Sequence, residues 1–349
     1  MNIIKEYKNI LVFNPSFLGD SILTTPLIKG LKHLFPNSKV SFAVRPENAD
    51  LFRNVDFLYE VIIFDKRNTQ KGISGLLKFS KLINSKNYDL IINLHLSIRS
   101  SSLFALSKNA FIVGYSTAVM SFIFNKRVEK KAELCEVERY LYLLSPLVTD
   151  FSLEEAKKIS GSLACYIDPL VLNNSKKYFN LVSGNKKVVG FAPGSVWPTK
   201  RYPASSFAEI ASILYNNGYA IALFGGPSDI DATDEFKNNF PYPFYDFSGK
   251  TSLKELPAIV GAINLLVVND SGLMHIAIAA SVPNVAIFGP TSKELGFFPY
   301  DDKSIVIENN NLSCRPCGKH GGNVCPEKHF KCMLDLDINE IVKACYSLL

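Results

Sequence analysis

At 349 residues the chain is too long for one ordinary hydrophobic core and suits two domains. Hydrophobic residues make up 47% and charged residues 20%, a globular balance that excludes extensive disorder. The formal net charge of +6 suits an anionic ligand or an anionic membrane surface and is too small to indicate nucleic acid by itself.

The N-terminus, MNIIKEYKNILVFN, puts Lys5, Glu6 and Lys8 before a short apolar run, without a secretory apolar core or a small-residue cleavage site. The most apolar stretch, residues 111–124, falls short of the roughly 18 apolar residues a membrane span needs. These features predict a cytoplasmic protein, free to touch a membrane peripherally.

In chain order, residues 9–14 are an apolar run bounded by polar residues, as in a buried parallel strand. A Gly-Asp turn follows, and Leu23, Leu27, Leu31 and Leu34 then recur at helical spacing up to Pro36-Asn37. Strand patterns return at 39–44, 60–64, 89–94 and 110–114, with a helical pattern at 73–83. Residues 149–187 are polar and less regular, and the domain linker is expected there. A second series has strands at 187–192, 219–224, 244–247, 264–268 and 284–288. Helices alternate with them at 203–215, 229–238, 253–262 and 272–280, and a last helix is expected at 338–348. The alternation predicts an α/β protein of two doubly wound parallel sheets. The domains are expected at 1–165 and 187–335, with 336–349 as a terminal helix. Ligands of such sheets bind at the carboxyl ends of the strands, so a central cleft between two facing domains is the expected site.

Four strand-to-helix turns carry chemistry. In PSFLGDSILTTP, Gly19 permits a tight turn, and Asp20 stands at or near a helix N-terminus. Asp20 reads equally as an N-cap or as an ionised carboxylate able to take a proton from an attacking hydroxyl. In FAPGSVWPTKRYP, Gly194 and Ser195 offer donors to a phosphate, and Lys200 and Arg201 could neutralise a diphosphate. Taken alone, those two cations read as surface charges. In LFGGPSDIDATDE, Asp229 or Asp231 opens a helix, either as a cap or as a ribose ligand. In VVNDSGLMHIA, Asp270, Ser271 and Gly272 precede a helix and could hold a sugar and its phosphates, with His275 one turn in.

Other signals are weak. Gly249-Lys250-Thr251 matches the end of a P-loop, but Phe244 stands where its first glycine belongs. No G-x-G-x-x-G follows the first strand, which disfavours a nicotinamide enzyme. Cys314, Cys317, Cys325 and Cys332 form C-x2-C-x7-C-x6-C near His320 and His329. Only the first pair has zinc-knuckle spacing, so a compact loop of free thiols is favoured over a zinc site.

Taken as an ordered set, these segments resemble glycosyltransferase family 9, the ADP-heptose:lipopolysaccharide heptosyltransferases. The carriers are PSFLGDSILTTP, CEVERYL, PGSVWPTKRYP, LFGGPSD, FSGKTSLKEL, VVNDSGLMHIA and FGPTS. The tail CRPCGKHGGNVCPEKHFKCM looks closest to the heptosyltransferase II branch. The resemblance implies a GT-B fold, a terminal helix packed back on the first domain, and inversion at the anomeric carbon. It implies Asp20 as general base, Lys200 as the donor-phosphate lysine and Asp270 as the donor-sugar residue. Gly272 and His275 would be neighbours of the phosphates, with Ser195 and Asp229 less securely matched. Cys135 stands where relatives carry His, and no role is implied for that segment. The implied partners are an ADP-heptose donor, a lipid A–core oligosaccharide acceptor and the cytoplasmic face of the inner membrane, with no nucleic acid. No cofactor or divalent metal is expected, because protein cations and amides would stabilise the diphosphate, and domain closure would exclude water. Another nucleotide-sugar donor, or a non-catalytic nucleotide-sugar-binding role in assembly, are the alternatives.

Overall fold

The computed structural model describes residues 1–105, 107 and 109–349. It divides into two compact units, Met1–Tyr166 and Ile167–Leu349.

The first unit runs β1 (Asn2–Ile3), β2 (Asn9–Phe13), α1 (Leu18–Leu23), α2 (Thr25–Leu34), β3 (Lys39–Val44), β4 (Glu60–Ile63), α3 (Gly72–Ser85) and β5 (Leu90–Asn93). It continues with α4 (Ile98–Leu103), β6 (Phe111–Tyr115), β7 (Lys126–Val128), α5 (Glu136–Leu141), β8 (Val148–Thr149) and α6 (Leu153–Ser160). Its six-stranded sheet has the order β4-β3-β2-β5-β6-β7, parallel throughout. The order reverses between β2 and β5, the doubly wound topology. On one face Leu11, Phe13, Phe64, Phe79 and Phe104 are buried together, with Phe13 ring centroids 5.3 Å from Phe64 and 5.2 Å from Phe104. Each buried aromatic of this kind stabilises by about 1.5–3 kcal/mol relative to exposure.

The second unit runs α7 (Pro169–Ser183), β9 (Val188–Ala192), α8 (Ala204–Asn216), β10 (Ala220–Leu223), α9 (Ile230–Asn239), β11 (Tyr245–Asp246) and α10 (Leu256–Val260). Then come β12 (Leu265–Asn269), α11 (Gly272–Ala279), β13 (Asn284–Phe288), β14 (Ser304–Glu308), α12 (Lys331–Leu334) and α13 (Ile338–Leu348). The sheet order β11-β10-β9-β12-β13-β14 repeats the pattern of the first unit, with the reversal between β9 and β12. Both sheets were legible as alternating strands and helices. The short β7 and the half-buried β14 were not among the expected strands.

One expectation is corrected. The segment expected as a linker contains α7, a helix of the second unit. Asp168 caps it, accepting from the Leu170 and Val171 N–H groups, Pro169 opens it, and left-handed Gly184 (φ 63°) ends it. Its Phe179 packs on Tyr245 and Phe247. The stripe of Ile341, Val342, Ala344 and Cys345 on α13 closes the core of the second unit. The spacing i, i+1, i+3, i+4 makes one apolar face, and α8 with the edge of β13 and β14 provides the matching surface.

Candidate active site

In the second unit, the strands at the switch point end side by side. Asn269, the last residue of β12, is fully buried. Its Nδ2 donates to the Pro193 carbonyl at 2.8 Å, and its Oδ1 accepts the Tyr202 N–H at 3.1 Å. These two bonds fold the 193–202 loop over the end of β12. They bring Lys200 to Asp270, with Nζ 2.5 Å from Oδ2. The Thr291 hydroxyl, arriving from beyond β13, donates to the same oxygen at 2.7 Å. Three strand ends thus converge on one carboxylate. The side chains of Lys200 and Asp270 are only 12% and 6% exposed, so the pair is poorly screened by water. An ammonium has three N–H donors, and two remain for other oxygen atoms.

The other candidates surround this pair. The Ser195 hydroxyl is buried and turns to the Asp270 carbonyl at 3.4 Å, while its own carbonyl accepts from Arg201 Nε at 2.7 Å. Both of its oxygen atoms are engaged by protein groups. Ser271 is the N-cap of α11 and makes no side-chain cap bond; Gly272 opens the helix, whose first N–H groups lack intrahelical partners. His275 is buried in the first turn, and its Nδ1 has no hydrogen-bond partner among the described residues. Burial, with the Lys200 charge, lowers its pKa to about 4 against the opposing pull of Asp270, so the imidazole is neutral at pH 7.

Asp229 stands at the start of α9, but its Oδ2 turns back to accept the Gly226 N–H at 2.9 Å, and Oδ1 lies 3.9 Å from Arg201 Nη2. Gly194 lies so close that a Cβ there would overlap the Asp229 carboxylate. Gly194→Ala is expected to cost about 1–3 kcal/mol in denaturant unfolding, the usual range for overpacking. Asp229→Ala in the same chain should recover most of that loss by vacating the space.

In the first unit, Asp20 is the third residue of α1, and Phe17 is the N-cap, so the capping reading of Asp20 does not hold. Gly19 is the second residue of α1 and is not among the glycines with positive φ, so its backbone does not demand glycine. The helix-terminus argument predicted a readily ionised carboxylate. Instead burial, and then the nearby Glu136 charge, raise the Asp20 pKa to about 6, against the opposing Lys130 and the Phe17 and Asp20 backbone. Asp20 lies in the first turn, where the dipole favours the anion, and desolvation outweighs it.

Glu136 belongs to CEVERYL, the segment to which no role was assigned. It is buried and paired with Lys130 at 2.7 Å and Arg139 at 2.9 Å. Arg139 also donates to the Lys131 and Ala132 carbonyls, at 2.8 and 2.5 Å. The buried Tyr140 hydroxyl lies 3.5 Å from Asn14 Nδ2, which donates to Thr24 Oγ1 at 2.8 Å. Thr24 Oγ1 in turn donates to the Asp20 carbonyl at 2.7 Å. CEVERYL therefore buttresses the Asp20 turn and sets its charge environment. Burial pushes the Cys135 thiol up to about 11, which leaves it no thiolate character near neutrality. Glu136, Lys130, Arg139, Asn269 and Thr291 were all missed from sequence. Asn269 and Thr291 matter through partners far along the chain, and Glu136 and Lys130 through their charges near Asp20.

Among the described residues, no three His, Cys, Asp or Glu side chains gather closely enough to hold a metal ion. Cys314 Sγ lies 4.0 Å from His329 Nε2, and the Cys317 thiol donates to the Cys314 carbonyl at 3.3 Å. No described helix is long and apolar enough to cross a membrane.

The chain is similar to several known proteins. A lipooligosaccharide heptosyltransferase 2 of Haemophilus influenzae is 27% identical over 326 residues, covering 90% of this chain and 93% of that protein. The crystal structure of a family 9 glycosyltransferase from Veillonella parvula is 28% identical, with a TM-score of 0.85 over 100% of this chain and 99% of that one. The Escherichia coli ADP-heptose lps heptosyltransferase II, at 24% identity and a TM-score of 0.79, covers 97% of this chain and 98% of its own, and shares the GT-B fold. The family model described as Glycosyltransferase family 9 (heptosyltransferase) matches residues 76–329, well over half the sequence, and on that match the chain belongs to glycosyltransferase family 9.

Proposed function

We propose that this glycosyltransferase moves a heptose from ADP-heptose to the inner core of lipopolysaccharide, with inversion at the anomeric carbon. The observation that carries the reading is the Lys200–Asp270–Thr291 cluster at the switch point of the second sheet, beside the start of α11. The relatives named as heptosyltransferases support the choice of sugar.

An acceptor hydroxyl attacks the anomeric carbon from the face opposite ADP. Asp20 accepts its proton as the new C–O bond forms. The bond to ADP breaks with its electron pair, and the diphosphate gains negative charge. Lys200, with two N–H donors left, and the amides at Gly272 are the groups to stabilise that charge. Asp270 Oδ2 already accepts two bonds, which leaves Oδ1 for a donor-sugar hydroxyl. Asp229 and Ser195 hold the shape of the neighbouring loops, and Ser271 and His275 support the α11 terminus.

The acceptor is anionic, and the first unit supports this. Burial, then the Arg45, Arg67 and Arg99 charges, lower the Lys66 pKa against Glu47, which pairs with Arg45 at 2.5 Å, so the group is cationic on balance. The Arg45 guanidinium lies 5.2 Å from the ring of Phe17, the residue that precedes α1. On α3 the exposed Ile73 and Leu77 stand with Lys78 and Lys81, a face suited to the anionic cytoplasmic leaflet and to peripheral association.

The reading is tested by calorimetry with ADP, UDP and GDP, together with a pH–rate profile. ADP should bind at least about tenfold more tightly than the other two, and turnover should rise through about pH 6 to a plateau as Asp20 ionises. Equal affinity for the three nucleotides would defeat the donor assignment. A rate independent of pH between 5 and 7 would defeat the base.

A further inference from the structure

The Cys-rich tail has so far no task in the reaction, yet two separate sets of bonds tie it to the Lys200–Asp270 pair. The first runs through Arg315. Its side chain is 4% exposed and is fully engaged: Nε donates to the Gly289 carbonyl and Nη1 to Asn309 O at 2.6 Å. Nη2 donates to Thr291 O and to Glu308 Oε2, both at 2.7 Å. Cys317 N–H adds a bond to Pro290 O at 2.9 Å. Arg315 thus fixes the backbone of Thr291, the residue whose hydroxyl holds Asp270.

The second set is a clasp between Thr199 and Gly322. The Gly322 N–H donates to Thr199 Oγ1 at 2.7 Å, and the Thr199 N–H donates to the Gly322 carbonyl at 3.1 Å. At Gly321 the fit is tight enough to exclude a side chain: a Cβ would stand 2.5 Å from Trp197 Cβ and 3.0 Å from Lys200 Cγ. Between these two anchors the chain carries Lys319 and His320 at the surface. A cavity of about 80 Å³ lies here, lined by His320, Thr199, Pro290 and Cys317 among others. The segment Lys319-His320-Gly321-Gly322 is therefore a glycine-closed loop whose Gly321 lies against Lys200 and which carries two nitrogen-bearing side chains.

We infer that residues 315–322 form a third wall of the donor site, in which His320 donates a hydrogen bond to the nucleotide diphosphate and Arg315 is a positioning residue for Asp270 and Thr291. The inference rests on the donor-site reading of Lys200 and Asp270. Its chemical logic is charge. Lys200 spends one donor on Asp270, a diphosphate has more oxygen atoms than the remaining two can serve, and the loop carries Lys319 and His320 as further donors. In the free protein burial, then the Lys200 and Lys319 charges, hold the His320 imidazole below its ordinary pKa, with Asp270 opposing. A bound diphosphate adds negative charge to this set of Lys200, Lys319 and Asp270. It shifts the imidazole back towards its protonated form.

The test is ADP titration by calorimetry near pH 6.5 in two buffers of unequal ionisation heat, on the full chain and on His320→Gln, Lys200→Ala and Arg315→Lys. The wild type should take up a fraction of a proton on binding ADP. His320→Gln should bind about tenfold more weakly, without that uptake, and with an unchanged melting temperature. Its KM for the donor should rise while its KM for the acceptor stays put. Arg315→Lys should weaken ADP binding while keeping the proton uptake, because His320 is intact. If His320→Gln binds ADP like the wild type with the same proton uptake, the inference is overturned. If Lys200→Ala also binds ADP like the wild type, the donor-site reading beneath it fails instead, and the two failures are distinct.

Discussion

Asp20→Asn is expected to lower turnover by about 10²–10⁴-fold, the usual contribution of a general base, while ADP affinity holds and the protein becomes no less stable at pH 7. The stability part follows from the direction of the pKa shift. The Asp20 carboxyl stands near 6 in the fold against an ordinary 3.8. A group whose folded pKa is raised contributes stability while it is protonated, below its unfolded pKa. That contribution is lost as pH rises through the folded value. At pH 7 the ionised carboxylate therefore costs about 1–3 kcal/mol, and Asn removes the charge while keeping the shape. The melting temperature of Asp20→Asn should match or exceed the wild type at pH 7, and the difference should shrink below about pH 4. Parallel loss of activity and melting temperature would mean that Asp20 acts through the fold, and its assignment as base would fall.

Lys200→Ala should have the largest combined effect on stability and binding. Removing the ammonium leaves the Asp270 carboxylate buried with only the Thr291 hydroxyl on its Oδ2. Breaking a buried pair by deleting one partner costs about 3–5 kcal/mol. The same deletion removes a charge-assisted donor to the diphosphate, so ADP affinity should drop by about 10–100-fold. The double variant Lys200→Met with Asp270→Asn separates the two effects. With both charges gone, thermal stability should return close to the wild type, yet ADP binding should stay weak. Recovery of ADP binding together with stability would show that Lys200 matters only as the partner of Asp270.

The sequence carried much of this architecture because strand and helix periods differ. Runs such as 10–13 and 265–268 are continuously apolar, as strands covered on both faces must be, and both became central strands. The missed helix α7 has a less apolar middle, Asn173-Asn174-Ser175-Lys176-Lys177, which masked the period. Its boundary signals were present all the same in Asp168-Pro169 and Gly184.

The site was legible in part. Residues at the ends of strands, such as Asp270 and Ser195, announce themselves by position once a strand–turn–helix is recognised. What no single segment discloses is pairing across the fold. Lys200 and Asp270 are distant in sequence and meet because β9 and β12 are sheet neighbours. Glu136 alters Asp20 across a similar distance, and it alters it in the direction opposite to the helix dipole. Arg315 is invisible for the same reason: its importance lies in the carbonyls it gathers, and backbone carbonyls carry no sequence signature.

The most direct test of the central claim is a transfer assay with purified protein, ADP-heptose and a lipid A–core acceptor that lacks the heptose, with product mass and released ADP measured together. The account predicts one heptose added per acceptor with equimolar ADP released, and neither product from Asp20→Asn on the same time scale. ADP-heptose left intact, or a UDP- or GDP-sugar used in its place, would contradict it.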